Sequence, residues 1–155
     1  MPAQKLKEFL DGKGVKYVTI GHSPAFTAPE IAASAHISGR EVAKTVMVTI
    51  DGTMAMAVLS ANRSVDFDLL AAASGAEKVE LASEEEFRDL FPGCEVGAMP
   101  PFGNLYDMAV YADEGLAADE EIAFNAGSHK ELVKMAWSDY VALVEPTIAA
   151  FATAR

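Results

Sequence analysis

The sequence predicts a mixed α/β fold, of the α+β kind, built around a largely antiparallel sheet. Three observations carry this. Segments of helical and strand periodicity alternate along the chain, with short turns between them. Two strand-like runs are separated by Asp51-Gly52 alone, the two-residue loop that a type I′ hairpin prefers. The connections are short, which leaves little room for βαβ crossovers. With 155 residues, 51% hydrophobic and 23% charged, the chain fits a single domain over 1–155 that can bury one core and is not of disordered composition.

The elements follow in order. Residues 3–11 place Leu6, Phe9 and Leu10 at helical spacing, and Gly12 and Gly14 signal its end. Residues 15–20 read as a short strand. Thr27 and Glu30 have the spacing of a capping box, with Pro29 tolerable in a first turn, so a helix is expected over 28–36. Strands over 42–50 and 53–59 form the hairpin. A helix over 66–74 is closed by Gly75, and 77–81 is a strand. Ser83 and Glu86 make a second capping box for a short helix that stops at Pro92-Gly93. Strands are expected over 105–112 and 121–126. The run 129–137 suits either a helix capped by Ser128 with Glu131, or a strand. A final helix starts at Ser138 and is interrupted by Pro146.

Composition excludes several functions. No apolar run approaches the roughly 18 residues that span a bilayer, and the N-terminal stretch lacks the apolar region of a secretory signal. The single cysteine, Cys94, makes no intrachain disulfide, and no Cys/His zinc spacing occurs, so a reducing cytoplasm is the expected setting. Its neighbour Glu95 disfavours a reactive thiolate. The net charge of −11 argues against a broad nucleic-acid-binding face. It is unevenly spread: +2 over 1–50, −7 over 51–100 and −6 over 101–155. A polyanion would have to meet the first third, through a small contact such as a nucleic-acid end. DNA and membranes are not expected partners.

Candidate chemistry is sparse. Alternation along 42–50 puts Val42, Lys44, Val46, Val48 and Ile50 on one side, so Lys44 lies on the aliphatic face. Either it snorkels its ammonium to water, or it is a partly buried cation that faces a cleft and meets an anionic ligand group. The loop 96–103 holds two prolines between two glycines, which makes it either a rigid turn or a place where backbone N–H groups near Gly97 and Ala98 meet a ligand. His22, His36 and His129 each suit a structural or surface role as well as a functional one. The acidic runs 84–86 and 119–121 read as solvated faces; no metal or cofactor is expected. No nucleophile elbow, phosphate loop, dinucleotide fingerprint or zinc-protease motif is present.

Several pieces form a recognisable series: His22 with Phe26-Thr27, the strand lysine in VAKTVMV, the stretch from VLSANRSVDFDLL to EEEF, Gly97-Ala98-Met99-Pro100-Pro101 as G-x-x-x-P, and FNAGSHKEL. In this order and over nearly the whole chain they resemble the YbaK family, free-standing relatives of the editing domain inserted in bacterial prolyl-tRNA synthetases. The resemblance implies a compact fold around a curved mixed sheet. It implies trans-editing hydrolysis of the ester joining a wrong, small amino acid (Ala, Cys or Ser-like) to the acceptor end of a tRNA, tRNA-Pro above all. An aminoacyl-tRNA synthetase is a candidate partner.

By the same resemblance, water attacks the aminoacyl carbonyl, the ribose hydroxyl assists, and no covalent intermediate forms. Lys44 and Gly97 are the implied catalytic residues, the first as a charge holding a phosphate or carbonyl oxygen, the second through its backbone. His22, Phe26, Thr27, Thr45, Ala98, Met99, Pro100, Pro101 and His129 are the implied substrate-binding residues. Two cues conflict over the amino acid. Thr45 matches the Cys-tRNA(Pro)-deacylating branch, whereas NAGSH resembles the alanine-editing branch. A binding module without catalysis and a small-molecule esterase are the competing readings.

Overall fold

Asp51 and Gly52 both adopt positive φ, 49° and 85°, as a type I′ turn requires. They join β2 (Ala43–Ile50) to β3 (Thr53–Ser60) in register from Ala43 opposite Ser60 to Ile50 opposite Thr53. The Asp51 carboxylate also accepts the N–H groups of Glu77 and Lys78, tying the turn to the residues that lead into the strand Val79–Leu81. The computed structural model describes residues 2–21, 42–91, 94, 98–118, 120–127 and 131–154. The helix expected over 28–36 lies outside them.

The hairpin is the centre of a five-stranded sheet ordered β5-β2-β3-β6-β9, with β5 at Val79–Leu81, β6 at Ala109–Asp113 and β9 at Thr147–Ala149. A three-stranded sheet runs β1-β8-β7, from β1 (Tyr17–Gly21), β8 (Glu131–Ala136) and β7 (Glu121–Asn125). A third sheet pairs β4 (Arg63–Val65) with β10 (Ala152–Ala154). Most pairings are antiparallel; β3–β6 and β6–β9 are parallel. Crossovers therefore do occur. The segment from 61 to 108 carries two helices, long enough to return the chain in the same direction.

Among the described residues four α-helices flank the sheets: α1 (Pro2–Gly12), α2 (Phe67–Ser74), α3 (Glu84–Phe87) and α4 (Trp137–Val144). Asp66 caps α2 through its side chain and Gly75 closes it at φ 73°. Ser83 and Glu86 form the full reciprocal capping box of α3. Of the ambiguous run 129–137, residues 131–136 are a strand, because Val133 and Met135 face the main core while Leu132 meets the opposite face; Trp137 opens the following helix and 129–130 lie outside the described residues. α4 starts at Trp137, a residue earlier than expected, and ends before Pro146, whose ring disfavours helix at the preceding residue. Residues 105–108 are not strand; Gly103–Leu105 is a 3₁₀ turn.

The two faces of β2 bury into different clusters. Ala43 and Met47 join the main core with Met99, Phe102, Phe124 and Tyr140. Val46, Val48 and Ile50 pack with Leu59, Leu70 and Phe151 on the other side. A small third cluster of Val42, Ala61, Ala123 and Leu132, with Ile20 against it, closes the seam between the two larger sheets.

The buried Asp113 fastens the C-terminus. Its carboxylate accepts the N–H groups of Phe151 and Ala152 at 3.0 Å each and that of Gly115 at 3.0 Å. No helix among the described residues is long and apolar enough to cross a membrane.

Candidate functional site at the end of strand β7

The alternation of EIAFN places Ile122 and Phe124 in the main core and turns Glu121, Ala123 and Asn125 to the opposite face. That second face is where β7 meets the hairpin sheet. Val42 forms a parallel bridge with Ala123, and Ala61 donates its N–H to the Val42 carbonyl at 2.8 Å. The start of β2 is thereby pinned to β7, two residues before Lys44. At the other end of the same short segment, Gly127 donates its N–H to the Ala98 carbonyl at 2.8 Å. Five residues of chain, Ala123 to Gly127, thus hold both the lysine strand and the Pro/Gly loop.

Lys44 is half-buried and lies opposite Leu59 across the hairpin. Along the strand it lies between Val42, which belongs to the seam cluster, and Val46, which packs against the cluster of Leu59, Leu70 and Phe151. Thr45 is its neighbour in sequence but projects to the other side of β2, the side of Ala43 and Met47.

The loop is held rigidly. Ala98, Met99, Pro100 and Pro101 are all buried. The Tyr140 hydroxyl donates to the Pro101 carbonyl at 2.7 Å, and Phe102 donates its N–H to the Pro100 carbonyl at 2.8 Å. Phe102 is wedged between Phe124 and Tyr140, each with ring centroids 5.4 Å away. With these side chains buried, residues 98–101 have mainly backbone to offer a ligand. Burial raises the Tyr140 pKa strongly, which keeps this phenol a donor. His22, Phe26, Thr27, Gly97 and His129 lie outside the described residues.

One polar residue was not singled out from the sequence. The Asn125 Oδ1 atom is enclosed and, among the described residues, is the one buried side-chain oxygen or nitrogen without a hydrogen-bond partner. Leaving such an acceptor unpaired costs about 1–3 kcal/mol. An asparagine within an apolar strand was the available signal, since Asn is depleted in strands.

Cys94 is half-buried, and its Sγ lies 3.9 Å from the Tyr106 hydroxyl. Burial raises its pKa, opposed by that hydrogen bond and by the Lys5 charge. A raised pKa leaves less of the thiolate form that would act as a nucleophile. Among the described residues no group of three or more His, Cys, Asp or Glu side chains is placed to hold a metal.

A seam that presents a lysine strand and a rigid backbone loop, with no nucleophile–base pair beside them among the described residues, suits chemistry by positioning and charge. Residues 22–143 match the family described as the aminoacyl-tRNA editing domain. The chain belongs to that family, which makes it by class an ester hydrolase, an aminoacyl-tRNA deacylase.

Its similarity to individual proteins runs the same way. It is 28% identical over 153 residues to the multifunctional Ser/Thr-tRNA deacylase ProXp-y of Escherichia coli K12, covering 96% of this chain and 91% of that one. It is 34% identical over 89 residues to the proline–tRNA ligase of Bacillus cytotoxicus, 57% of this chain but 16% of the ligase. A crystal structure of a candidate trans-editing enzyme for prolyl tRNA synthetase superposes with a TM-score of 0.84 at 21% identity, covering 98% of this chain and 97% of that one. A second neighbour, the hypothetical protein APE2540, gives 0.84 at 20% identity over 96% of this chain and 99% of its own. These two establish the fold.

Proposed function

We propose that this protein acts in trans, as one domain over residues 1–155, to hydrolyse the ester of a small mischarged amino acid on the acceptor end of a tRNA. The observation that carries the reading is the double attachment of β7: the Val42–Ala123 bridge and the Gly127–Ala98 hydrogen bond bring the lysine strand and the G-x-x-x-P loop to one short segment.

Water is the nucleophile. Its oxygen bonds to the ester carbonyl carbon, the bond from that carbon to the ribose oxygen breaks, and the water's proton ends on the departing ribose oxygen. The products are the free amino acid and intact tRNA. An aminoacyl ester is already activated, so orientation and charge stabilisation suffice without a covalent intermediate. Lys44 supplies the positive charge, held toward a phosphate or toward the oxyanion that develops at the carbonyl. Beside a polyanion its protonated form is favoured, which suits an anchor better than a base.

The loop supplies backbone contact at Gly97. Between 98 and 101 only Ala98 and Met99 carry an amide N–H to offer, because Pro100 and Pro101 have none. Phe26, Thr27 and His129 line or close the pocket, with His22 and Thr45 as further contacts. A local cation meets the tRNA tip, so the overall charge of −11 is no obstacle.

A small substrate side chain fits this reading, since apolar pockets discriminate best by excluding bulk. Serine gains support from the activity named for the E. coli relative. The prolyl-type tRNA gains support from the similarity to proline–tRNA ligases, which also makes a synthetase a sensible partner and the cytoplasm the setting. The test is a deacylation panel of Ala-, Cys-, Ser- and Thr-charged tRNA-Pro beside cognate Pro-tRNA. Turnover of the small residues with cognate tRNA spared supports the proposal. Binding of tRNA with no ester hydrolysed would leave a binding module instead. Equal turnover of a bare aminoacyl nucleoside would leave a small-molecule esterase.

A further inference from the structure

We propose that the cavity beyond the end of β3 binds a small free α-amino acid as its zwitterion. The inference needs only this cavity and does not rest on the deacylase reading. The cavity holds about 170 Å³ and is lined by Ser60, Asn62, Arg63, Asp113 and Gly115. It forms where two parallel neighbours both end: Ser60 is the last residue of β3 and Asp113 the last of β6.

The lining carries one cation and one anion. Among the described residues neither Arg63 nor Asp113 enters an ion pair, with each other or with a third group. Arg63 is exposed and gives one N–H to the Ala152 carbonyl at 3.3 Å, which leaves others to donate. Asp113 is buried. Its Oδ1 accepts two backbone N–H groups, from Phe151 and Ala152, and its Oδ2 accepts one, from Gly115. A carboxylate has about four acceptor positions, so one remains on Oδ2. Gly115 keeps it open: a Cβ there would lie 2.8 Å from Oδ2. Gly115 is not among the residues of positive φ, so space rather than backbone conformation calls for glycine. Ser60 Oγ donates to Asn62 Oδ1 at 2.7 Å, which holds that amide with its NH₂ left to donate.

The class of ligand follows from this pairing. A simple anion would meet Arg63 but also the Asp113 charge, and a simple cation would meet the reverse. A molecule with both charges on neighbouring atoms satisfies both. Its carboxylate accepts from Arg63 and the Asn62 amide, and its ammonium donates to Asp113 Oδ2 and to a lone pair of Ser60 Oγ. The volume is below the roughly 300–1,000 Å³ of pockets that take drug-sized ligands, so the side chain is small. Ala61, between Ser60 and Asn62, donates to the Val42 carbonyl, so the cavity borders the seam, while Lys44 is not part of its lining. An aminoacyl ester has the ammonium but no carboxylate. The lining therefore selects the free acid, the kind of molecule that ester hydrolysis releases, over the ester itself.

The test is a set of NMR titrations of isotope-labelled protein with four probes. These are L-alanine; L-alaninamide, which lacks the carboxylate; N-acetyl-L-alanine, which lacks the ammonium; and L-phenylalanine, which keeps both charges on a larger body. L-Alanine should shift the backbone amide signals of Asn62, Arg63 and Gly115 together in wild type. Each of the other probes should bind about tenfold or more weakly, as loss of a charge-assisted hydrogen bond or exclusion of bulk predicts. Arg63→Gln should lose the preference for L-alanine over L-alaninamide. Gly115→Ala should weaken L-alanine binding, because the new methyl group covers Asp113 Oδ2.

L-Alanine that leaves these three amides unmoved in wild type overturns the inference. Equal binding of L-alaninamide would define an ammonium site and equal binding of N-acetyl-L-alanine an anion site; either overturns it, as does equal binding of L-phenylalanine. An Arg63→Gln protein that keeps the full preference overturns it too, and these results stand even if Gly115→Ala fails to fold. Deacylation of mischarged tRNA without L-alanine binding removes the inference alone. L-Alanine binding without deacylation supports it and removes the deacylase reading alone.

Discussion

Gly127 donates its backbone N–H to the carbonyl of Ala98 across 2.8 Å, joining the end of a strand to the middle of a proline-stiffened loop. The bond positions the loop relative to β7, and the Val42–Ala123 bridge positions β2 relative to the same strand. A site built this way depends on the rigidity of its supports more than on any single reactive side chain.

Tyr140 is the first support to test. Its hydroxyl is buried and donates to the Pro101 carbonyl at 2.7 Å. Tyr140→Phe keeps the ring contacts and deletes this bond, leaving a buried carbonyl with one partner fewer. A loss of about 1–2 kcal/mol in urea unfolding is expected.

The same residue makes a pH prediction. Burial raises the pKa of Tyr140, and also that of Tyr106, above the ordinary value of 10.0. Between that value and the higher folded one, the native state holds protons that the unfolded state has released. Stability from these groups is therefore complete below about pH 10 and falls as pH rises further. Tyr140→Phe should show a shallower alkaline decline than wild type in denaturant melts run from pH 8 to 11.5.

Asp113 supports the opposite end of β6. Three backbone N–H groups converge on its carboxylate, and it is 6% exposed. Asp113→Ala should cost about 3 kcal/mol, lowering the thermal midpoint by roughly 6–12 °C in calorimetry.

Gly103 closes the Pro/Gly loop with no room for a side chain. A Cβ there would sit 2.5 Å from the Met108 carbonyl oxygen and 2.6 Å from a Val110 methyl. Gly103→Ala is expected to destabilise by about 1–3 kcal/mol and to reduce deacylation, because the shift propagates to Phe102. Urea melts and the mischarged-tRNA assay read the two effects separately.

Much of this fold is legible locally. Asp51-Gly52, Asp66 with Gly75, and Ser83 with Glu86 each announce an element whose chemistry is complete within a few residues. The short strands Arg63–Val65, Thr147–Ala149 and Ala152–Ala154 are not, because three residues show no periodicity. Their pairing is imposed from a distance, by Asp113 capturing Phe151 and Ala152.

The site divides similarly. Alternation singles out Lys44 from the strand alone. Asn125 escapes notice because nothing in EIAFNA says that its side-chain oxygen finds no hydrogen-bond partner among the described residues. That depends on β7 meeting β2 and the loop, a tertiary fact.

The central claim is that the charge of Lys44 drives ester hydrolysis at this seam. It is tested most directly by single-turnover deacylation of the best mischarged tRNA by wild type, Lys44→Ala and Lys44→Arg. Loss of one preorganised electrostatic group predicts about a 10²–10³-fold slower reaction for Lys44→Ala, with Lys44→Arg recovering part of it because the charge returns. Equal rates for wild type and Lys44→Ala would contradict the account.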